Sequence, residues 1–168
     1  MTSLTTYQSS FAEALIAAKV EFVVVGGMAM RAHGIIRETQ DLDLLVSRTR
    51  LNAERLLPVL ASCLAIPNTR LTVDVLQLPK KLLSLPNSEP KTKEVDVLTS
   101  MGTLDFELTA QRAVPVRFGL LVLQVIGLEE LLYTKLVSAS STLDSVAQER
   151  DLSDFETILS HWKCSPAR

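Results

Sequence analysis

Residues 24–43 read VVGGMAMRAHGIIRETQDLD, a segment in which an apolar run ends at two glycines. The run over residues 20–25 is β-branched and almost wholly apolar, which predicts a buried strand. Gly26 and Gly27 then predict a tight turn, because glycine tolerates backbone conformations that other residues avoid. The segment Met28–His33 predicts a short helix that the glycines open. A buried strand, a glycine turn and a short helix are therefore expected in succession.

Asp41 and Asp43 stand at the next apolar run, Leu42–Val46, which predicts a second strand. Because residues i and i+2 of a strand share a face, the two carboxylates should lie side by side. Two neighbouring carboxylates repel each other, and Mg²⁺ would relieve that repulsion since it prefers carboxylate and phosphate oxygens. Two such ions about 4 Å apart can support a phosphoryl-type transfer. The alternative is that Asp41 caps a turn and Asp43 is a solvated strand residue.

The glycine turn predicts a site where an anion approaches the backbone. The free N–H groups of the helix that follows would face a bound phosphate. The alternative is a plain tight turn between strand and helix. Arg37 either binds phosphate or pairs with Asp41 or Glu38. His33, at the end of the short helix, is expected to be a structural residue.

The composition is that of an ordinary globular protein, with 168 residues, 47% apolar, 21% charged and a net charge of −2. It predicts a single domain, with a core over about residues 20–126 and C-terminal helices over about 127–163. The longest apolar run, Leu120–Ile126, is far shorter than the roughly 20 residues of a membrane span. No signal peptide is recognised, so a cytoplasmic protein is expected. Cys63 and Cys164 are expected to be reduced thiols, with a single disulfide as the alternative.

The rest of the chain mixes predicted helices and strands and contains no internal repeat. Helices are predicted over residues 5–19, 47–64 (interrupted or ended near Pro58), 106–112, 128–140 and 146–162; strands over 71–78, 95–98, 114–118 and 121–126; a short helix or loop over 79–85; and a loop over 87–93. This pattern favours an α/β or α+β fold with a small, mixed central sheet flanked by helices.

The strand, glycine pair, helix and R-x-T-x-D-x-D motif (RETQDLD, residues 37–43) together form a rare combination. This arrangement resembles the nucleotidyltransferase superfamily related to DNA polymerase beta. It is most similar to small bacterial members, including the AbiEii toxin and minimal nucleotidyltransferase (MNT) antitoxin groups. The resemblance is strong over residues 20–47 and weak over the rest of the chain. Many active relatives have serine where Gly27 stands, so a hydroxyl that could touch phosphate is missing here.

The resemblance also implies a third carboxylate on a later strand. Asp96, between Val95 and Val97, matches that position, and Asp74 is a rival with the same kind of apolar neighbours. Asp96 is preferred because a turn at Gly102 and a strand-rich segment follow it, as in the relatives. The alternative is that either residue is a strand-end aspartate that faces solvent.

Relatives also end in two helices, with a lysine on the first and acidic residues on the second. Lys135 lies on the first predicted helix, where it could reach a triphosphate or join surface ion pairs. Asp151 and Asp154 lie on the second, within ERDLSD (residues 149–154). They are expected to be structural, by pairing with Lys135 or Arg150.

The function implied by the resemblance is nucleotidyl transfer, in which an acceptor hydroxyl attacks the α-phosphate of a nucleoside triphosphate, ATP being the first guess. Two Mg²⁺ ions, or Mn²⁺ in their place, would be held by the catalytic residues Asp41, Asp43 and Asp96. The nucleotide would be contacted by Gly26, Gly27, Arg37, Thr39 and Lys135. The acceptor could be a cognate toxin or antitoxin protein, an RNA 3′ end such as that of tRNA, or a small molecule. The alternative is a catalytically inactive protein that keeps the fold and acts as a binding or regulatory partner.

Overall fold

The computed structural model describes residues 3–63, 71–80, 82–86 and 93–164, and within them seven helices accompany one six-stranded sheet. The helices are α1 (Thr6–Ala17), α2 (Gly26–Ala32), α3 (Arg50–Cys63), α4 (Val73–Gln77), α5 (Phe106–Arg112), α6 (Leu128–Ser141) and α7 (Ser145–Cys164). The strands are β1 (Phe22–Val25), β2 (Leu42–Val46), β3 (Leu82–Pro86), β4 (Lys93–Leu98), β5 (Val114–Phe118) and β6 (Leu121–Val125). The predicted mixed α/β fold is confirmed.

The sheet has the strand order β3-β4-β2-β1-β6-β5 and is mixed. Central strand β1 pairs antiparallel with β2 and parallel with β6, and β2 pairs parallel with β4. The end of β1 therefore lies beside the start of β2, where Val25 is the register partner of Asp43. On its other side, Asp43 is the register partner of Asp96 on β4. The pairing thus brings the glycine turn and two of the predicted site carboxylates to one end of the sheet.

The apolar side chains of the central strands form the core. Leu42 and Leu44 are fully buried, as are Val24 and Val25 on the neighbouring strand. Each such side chain contributes about 1.5–3 kcal/mol through its removal from water. Because successive side chains of a strand alternate between faces, burial of the leucines directs Asp43 to the opposite face.

Two predictions for the middle of the chain are wrong. The predicted strand over residues 71–78 is instead the helix α4, whose N-cap Thr72 accepts a hydrogen bond from the backbone N–H of Val75. A short apolar run fits a strand and a buried helical turn equally well, so its pattern could not separate the two. The predicted helix or loop over residues 79–85 contains the edge strand β3, which pairs antiparallel with β4.

Several helix boundaries also differ from the prediction. Helix α2 begins at Gly26 instead of Met28, and α1 ends at Ala17, before Lys19 adopts a positive φ of 57°. Helix α3 continues through Pro58 instead of stopping there. Proline removes one helical hydrogen bond, but Pro58 is on the exposed side, where water can satisfy the freed carbonyl group.

None of the helices in the described ranges is both long and apolar enough to cross a membrane. Cys63 is a free thiol. The side chain of Cys164 and residues 87–92 of the predicted loop lie outside the described part of the chain, so the predictions for them remain predictions.

Candidate active site

The carboxylate of Asp43 lies at the end of the sheet where β1 stops and β2 starts. Burial is the largest influence on its pKa, followed by the nearby negative charges of Asp96 and Asp41. Together they raise the pKa of Asp43 to about 7, although Lys135 and a backbone hydrogen bond from Gly27 act in the opposite direction. Asp41 and Asp96 are therefore close enough to Asp43 for their negative charges to act on it.

Asp96 presents a buried carboxylate oxygen, Oδ1, that has no hydrogen-bond partner among the described residues. An unpaired buried oxygen is costly, so such an atom calls for a further partner. The described residues contain no group of three or more His, Cys, Asp or Glu side chains arranged as a ready-made metal site. The metal-binding role of Asp41, Asp43 and Asp96 accordingly stays a prediction.

Asp74, the rival third carboxylate, is on the helix α4 and exposed to solvent. It is not among the charges that perturb Asp43. The strand environment expected for this rival is absent, because the segment around it is helical. Asp96, which pairs in register with Asp43, is the carboxylate that the sheet brings to the site.

The glycine turn packs directly against Asp43. Gly26 has a positive φ of 65°, and a Cβ atom placed on it would lie 2.0 Å from Oδ2 of Asp43. The backbone N–H of Gly27 donates a hydrogen bond to the Asp43 carboxylate. The sequence predicted that these backbone donors would face a phosphate. In the structure the N–H of Gly27 faces Asp43, and the expected contacts of Gly26 and Gly27 with phosphate remain predictions.

Thr39 covers Gly27 from the loop that precedes β2. A Cβ atom placed on Gly27 would lie 2.7 Å from Cβ and 2.8 Å from Oγ1 of Thr39. The space that a serine side chain would need at position 27 is therefore filled by threonine. This packing accounts for glycine at position 27 of this chain, because a side chain there would collide with Thr39.

The contact predicts a measurable coupling between the two positions. Gly27→Ala should destabilise the protein by about 1–3 kcal/mol, since overpacking forces neighbouring atoms to move. Thr39→Gly opens the space, so the same alanine should cost less in that background. The test is a double-mutant cycle on the free energy of unfolding, with Thr39→Gly alone as control. Additive effects of the two changes would contradict the contact, because only interacting residues show non-additivity.

Lys135 is held in a cluster of paired charges between α6, α7 and the loop before β2. Its Nζ atom lies 2.9 Å from Oδ1 of Asp151 and 2.7 Å from Oδ2 of Asp154, and the lysine side chain is only 12% exposed. The second contact is an ion pair whose angles do not meet those of a hydrogen bond. Asp154 also accepts a hydrogen bond of 2.7 Å from Nε of Arg37. The expected structural role of Asp151 and Asp154 agrees with these pairs.

Asp151 uses both carboxylate oxygens in this cluster, since Ser138 donates to its Oδ2 at 2.6 Å. Burial acts to raise the pKa of Asp151, but the hydrogen bonds from Ser138 and Lys135 and the charges of Lys135 and Arg150 lower it below its ordinary value. Asp151 is thus held as an anion beside the acidic pair. The hydrogen bond of Ser138 to Asp151 was not predicted from the sequence, although the i, i+3 spacing of Ser138 from Lys135 on one helix could have indicated it.

Arg37 and His33 have partners that the sequence did not indicate. Arg37 pairs with Asp154 instead of the carboxylates of Asp41 or Glu38, and it also donates to the backbone carbonyl of Glu38. Nε2 of His33 lies 2.7 Å from the backbone carbonyl of Ile126, to which it donates when it carries the proton. That contact ties α2 to the end of β6 and agrees with the structural role predicted for His33.

A cavity of about 180 Å³ opens beside Asp43. Its polar lining consists of Gly26, Asp43, Thr134, Lys135, Ser138, Arg150 and Asp151. A larger apolar cavity of about 460 Å³ lies near the other end of β1, against Phe22, Phe106 and Leu123, and includes none of the predicted site residues. Of these two cavities, the smaller one is lined by the predicted site residues Gly26, Asp43 and Lys135.

Comparison with known proteins identifies the family. A search of curated proteins gave no match for the chain. The structure is similar to the crystal structure of an antigenic nucleotidyltransferase-like protein from Paracoccidioides brasiliensis, with a TM-score of 0.55, 16% sequence identity and coverage of 92% of this chain and 74% of that one. At this identity the likeness supports the fold alone. The family model described as "Nucleotidyl transferase AbiEii toxin, Type IV TA system" matches residues 12–167. Because that match extends over nearly the whole chain, the protein belongs to the AbiEii nucleotidyltransferase toxin family.

Proposed function

We propose that the protein transfers a nucleotide from a nucleoside triphosphate to an acceptor hydroxyl, with the help of divalent cations, as part of a toxin–antitoxin system. The observation that carries this proposal is the adjacency of Asp43 and Asp96 on paired strands, beside a cavity lined by Lys135 and Arg150. Carboxylates next to cationic side chains suit a substrate that arrives as a metal–triphosphate complex. Membership of the family supports the same reaction class.

The acidic residues fit divalent cations by their chemistry. Burial and, after it, the negative charges of Asp96 and Asp41 raise the pKa of Asp43, and the buried Oδ1 of Asp96 has no hydrogen-bond partner among the described residues. A cation would answer both, and Mg²⁺ typically takes one or two carboxylates together with substrate phosphates and water. Asp41, Asp43 and Asp96 would hold the ions. Bound ions would neutralise charge on the phosphates and make the attacking hydroxyl more acidic.

The proposed reaction forms one bond and breaks one at the α-phosphorus. The acceptor oxygen bonds to phosphorus, the bond to the β-phosphate oxygen breaks, and pyrophosphate leaves with that electron pair. Asp96 would help to hold the ion that makes the attacking hydroxyl more acidic, and the hydroxyl proton would pass to solvent water. Most of the rate enhancement would come from the positioning of the reactants and from stabilisation of charge on the leaving pyrophosphate.

Lys135 would act from the wall of the cavity. Its ammonium group is fixed by Asp151 and Asp154, which limits its motion beside Asp43. Its positive charge partly offsets the influences that raise the pKa of Asp43. We propose that Lys135 stabilises the triphosphate from this fixed position, and that Arg37 holds Asp154 in place.

The position of a radioactive label distinguishes this reaction from its alternatives. The protein is incubated with Mg²⁺, an α-³²P or γ-³²P nucleoside triphosphate, and either total tRNA or the protein fraction of a cell extract. Nucleotidyl transfer places only the α-label on an acceptor and releases the γ-label as pyrophosphate. Transfer of the γ-label would instead indicate a kinase, and the absence of transfer with every nucleotide would favour the inactive binding partner. The Asp41→Asn variant is expected to transfer no label while it keeps its fold.

A further inference from the structure

The cations at the candidate site differ in how far their charges are already offset. Lys135 lies within ion-pair distance of two carboxylates, at 2.9 Å from Asp151 and 2.7 Å from Asp154. Arg37 is paired with the second of these at 2.7 Å. Two cations and two carboxylates therefore balance within this cluster. Arg37 and Lys135, the two cationic residues that the sequence predicted to contact the nucleotide, are therefore each paired with carboxylates.

Arg150 lines the same cavity and has no ion pair or hydrogen bond with any described residue. It precedes Asp151 on α7 and lies one helical turn before Asp154, so it is on the side of the helix that meets the site. Its charge is close enough to Asp151 to contribute to the lowering of that residue's pKa, after burial, Ser138 and Lys135. Arg150 is thus an exposed cation in the lining of the cavity, and its side chain has no ion-pair partner among the described residues.

The size of the cavity limits what it can hold. Sites for whole drug-sized ligands measure about 300–1,000 Å³, whereas this cavity measures about 180 Å³. It therefore accommodates only part of a nucleoside triphosphate. Its wall combines Lys135, Ser138 and Arg150, which are donors suited to phosphate oxygens. A guanidinium group can also hold two oxygens of one phosphate at once.

We propose that Arg150 binds the β- and γ-phosphates of the nucleoside triphosphate in the cavity beside Asp43, and so holds the pyrophosphate that leaves. This proposal rests on the proposed function and adds a phosphate-binding residue to it. Lys135 then serves as a fixed charge deep in the cavity, and Arg150 supplies the adjustable contact at its mouth.

Isothermal titration with Mg²⁺ tests the proposal on three ligands: the nucleoside triphosphate that wild type binds, the matching monophosphate, and pyrophosphate. The variants are Arg150→Gln, Arg150→Lys and, as a charge-matched control, Arg117→Gln on the exposed side of β5. Loss of charge-assisted hydrogen bonds should weaken triphosphate and pyrophosphate binding by about tenfold or more in Arg150→Gln. Monophosphate binding should stay within about twofold of wild type, since a monophosphate lacks the β- and γ-phosphates that Arg150 contacts. Arg150→Lys should recover part of the loss, and Arg117→Gln should bind all three ligands like wild type.

The outcomes separate the two proposals. Wild-type protein that binds neither triphosphate nor pyrophosphate would overturn the proposed function and, with it, the role of Arg150. If wild type binds the triphosphate but Arg150→Gln binds it equally well, only the role of Arg150 fails. Equal weakening of triphosphate and monophosphate would also overturn it, because the contact would then not be to the β- and γ-phosphates. Thermal unfolding of each variant checks that its fold is intact.

Discussion

Asp43→Asn is expected to abolish nucleotidyl transfer and, at alkaline pH, to stabilise the metal-free protein. A lost partner in the second shell of a metal site typically costs 10–100-fold, so removal of a direct ligand should cost at least about 100-fold in activity. The effect on stability has a separate origin, because burial and, after it, repulsion by Asp96 and Asp41 raise the pKa of Asp43 to about 7. Asparagine keeps the shape and accepts the hydrogen bond from Gly27, but it cannot ionise.

The sign of the pH dependence follows from the raised pKa. The folded protein binds the Asp43 proton more tightly than the unfolded chain, whose aspartate pKa is about 3.9. The protonated group therefore favours folding fully below about pH 4, and this contribution is lost as the pH rises through 7. At pH 8 the free energy of unfolding of the asparagine variant should exceed that of wild type by about 2–4 kcal/mol, which corresponds to about 4–16 °C in Tm. Near pH 4 the two proteins should unfold at similar temperatures.

The measurement is thermal unfolding in a chelator between pH 4 and pH 9, with the transfer assay run in parallel. Asp74→Asn is the matched control, because that aspartate is exposed on α4 and should tolerate the change within about 0.5 kcal/mol. Full activity in Asp43→Asn would remove this residue from the catalytic site. A stability difference from wild type that is the same at pH 4 and pH 8 would contradict the buried, repelled carboxylate.

Gly26→Ala is expected to destabilise the protein more than any other glycine-to-alanine substitution at the site. The backbone there has a φ of 65°, and the new Cβ would lie 2.0 Å from Oδ2 and 2.7 Å from Cγ of Asp43. The left-handed backbone costs a residue with a side chain about 1–2 kcal/mol, and overpacking adds about 1–3 kcal/mol. The sum predicts a fall of about 4–20 °C in Tm. The displaced carboxylate should also impair metal-dependent activity.

Gly119→Ala separates the backbone effect from the steric one. Gly119 has a similar φ of 61°, but nothing lies within 4 Å of a Cβ atom placed on it. Its substitution should therefore cost only the backbone term of about 1–2 kcal/mol and leave activity unchanged. Denaturant unfolding of both variants gives the comparison. If the two alanines destabilise equally, the close approach of Asp43 to Gly26 is absent in solution.

Local pattern was sufficient for much of the fold. The strand Leu42–Val46 was predicted with its observed bounds, because apolar side chains flank the acidic position and period-2 alternation fixes the faces. The helix Phe106–Arg112 and the strand Val114–Phe118 were also predicted as observed. The segment over residues 71–78 failed because an apolar run of that length satisfies both helical and strand periods. Edge strand β3 was missed since its identity depends on pairing with β4.

The site depended more on contacts between distant parts of the chain. The register that places Asp43 against Asp96 joins residues on strands far apart in sequence, and no spacing rule predicts it. The pair of Arg37 with Asp154 spans 117 residues, so the sequence offered only nearer acids as partners. The lack of an ion-pair partner for Arg150 among the described residues also depends on the fold, because Asp151 and Asp154 pair with Lys135 and Arg37. Residue types at the site could thus be read from motifs, whereas their pairing required the fold.

The central claim is that Asp41 and Asp43 bind a nucleoside triphosphate through divalent cations. A thermal-shift measurement tests this claim most directly. ATP, GTP, CTP and UTP are each added with and without Mg²⁺ to wild type and to a variant with Asp41→Asn and Asp43→Asn, and each shift is measured from that protein's own Tm. A ligand at 100 times its Kd adds about 2.7 kcal/mol, which is about 5–11 °C for a chain of this size. The account predicts a rise with at least one nucleotide that requires Mg²⁺ and is lost in the double variant. No rise with any nucleotide, or a rise that persists in the double variant, would contradict it.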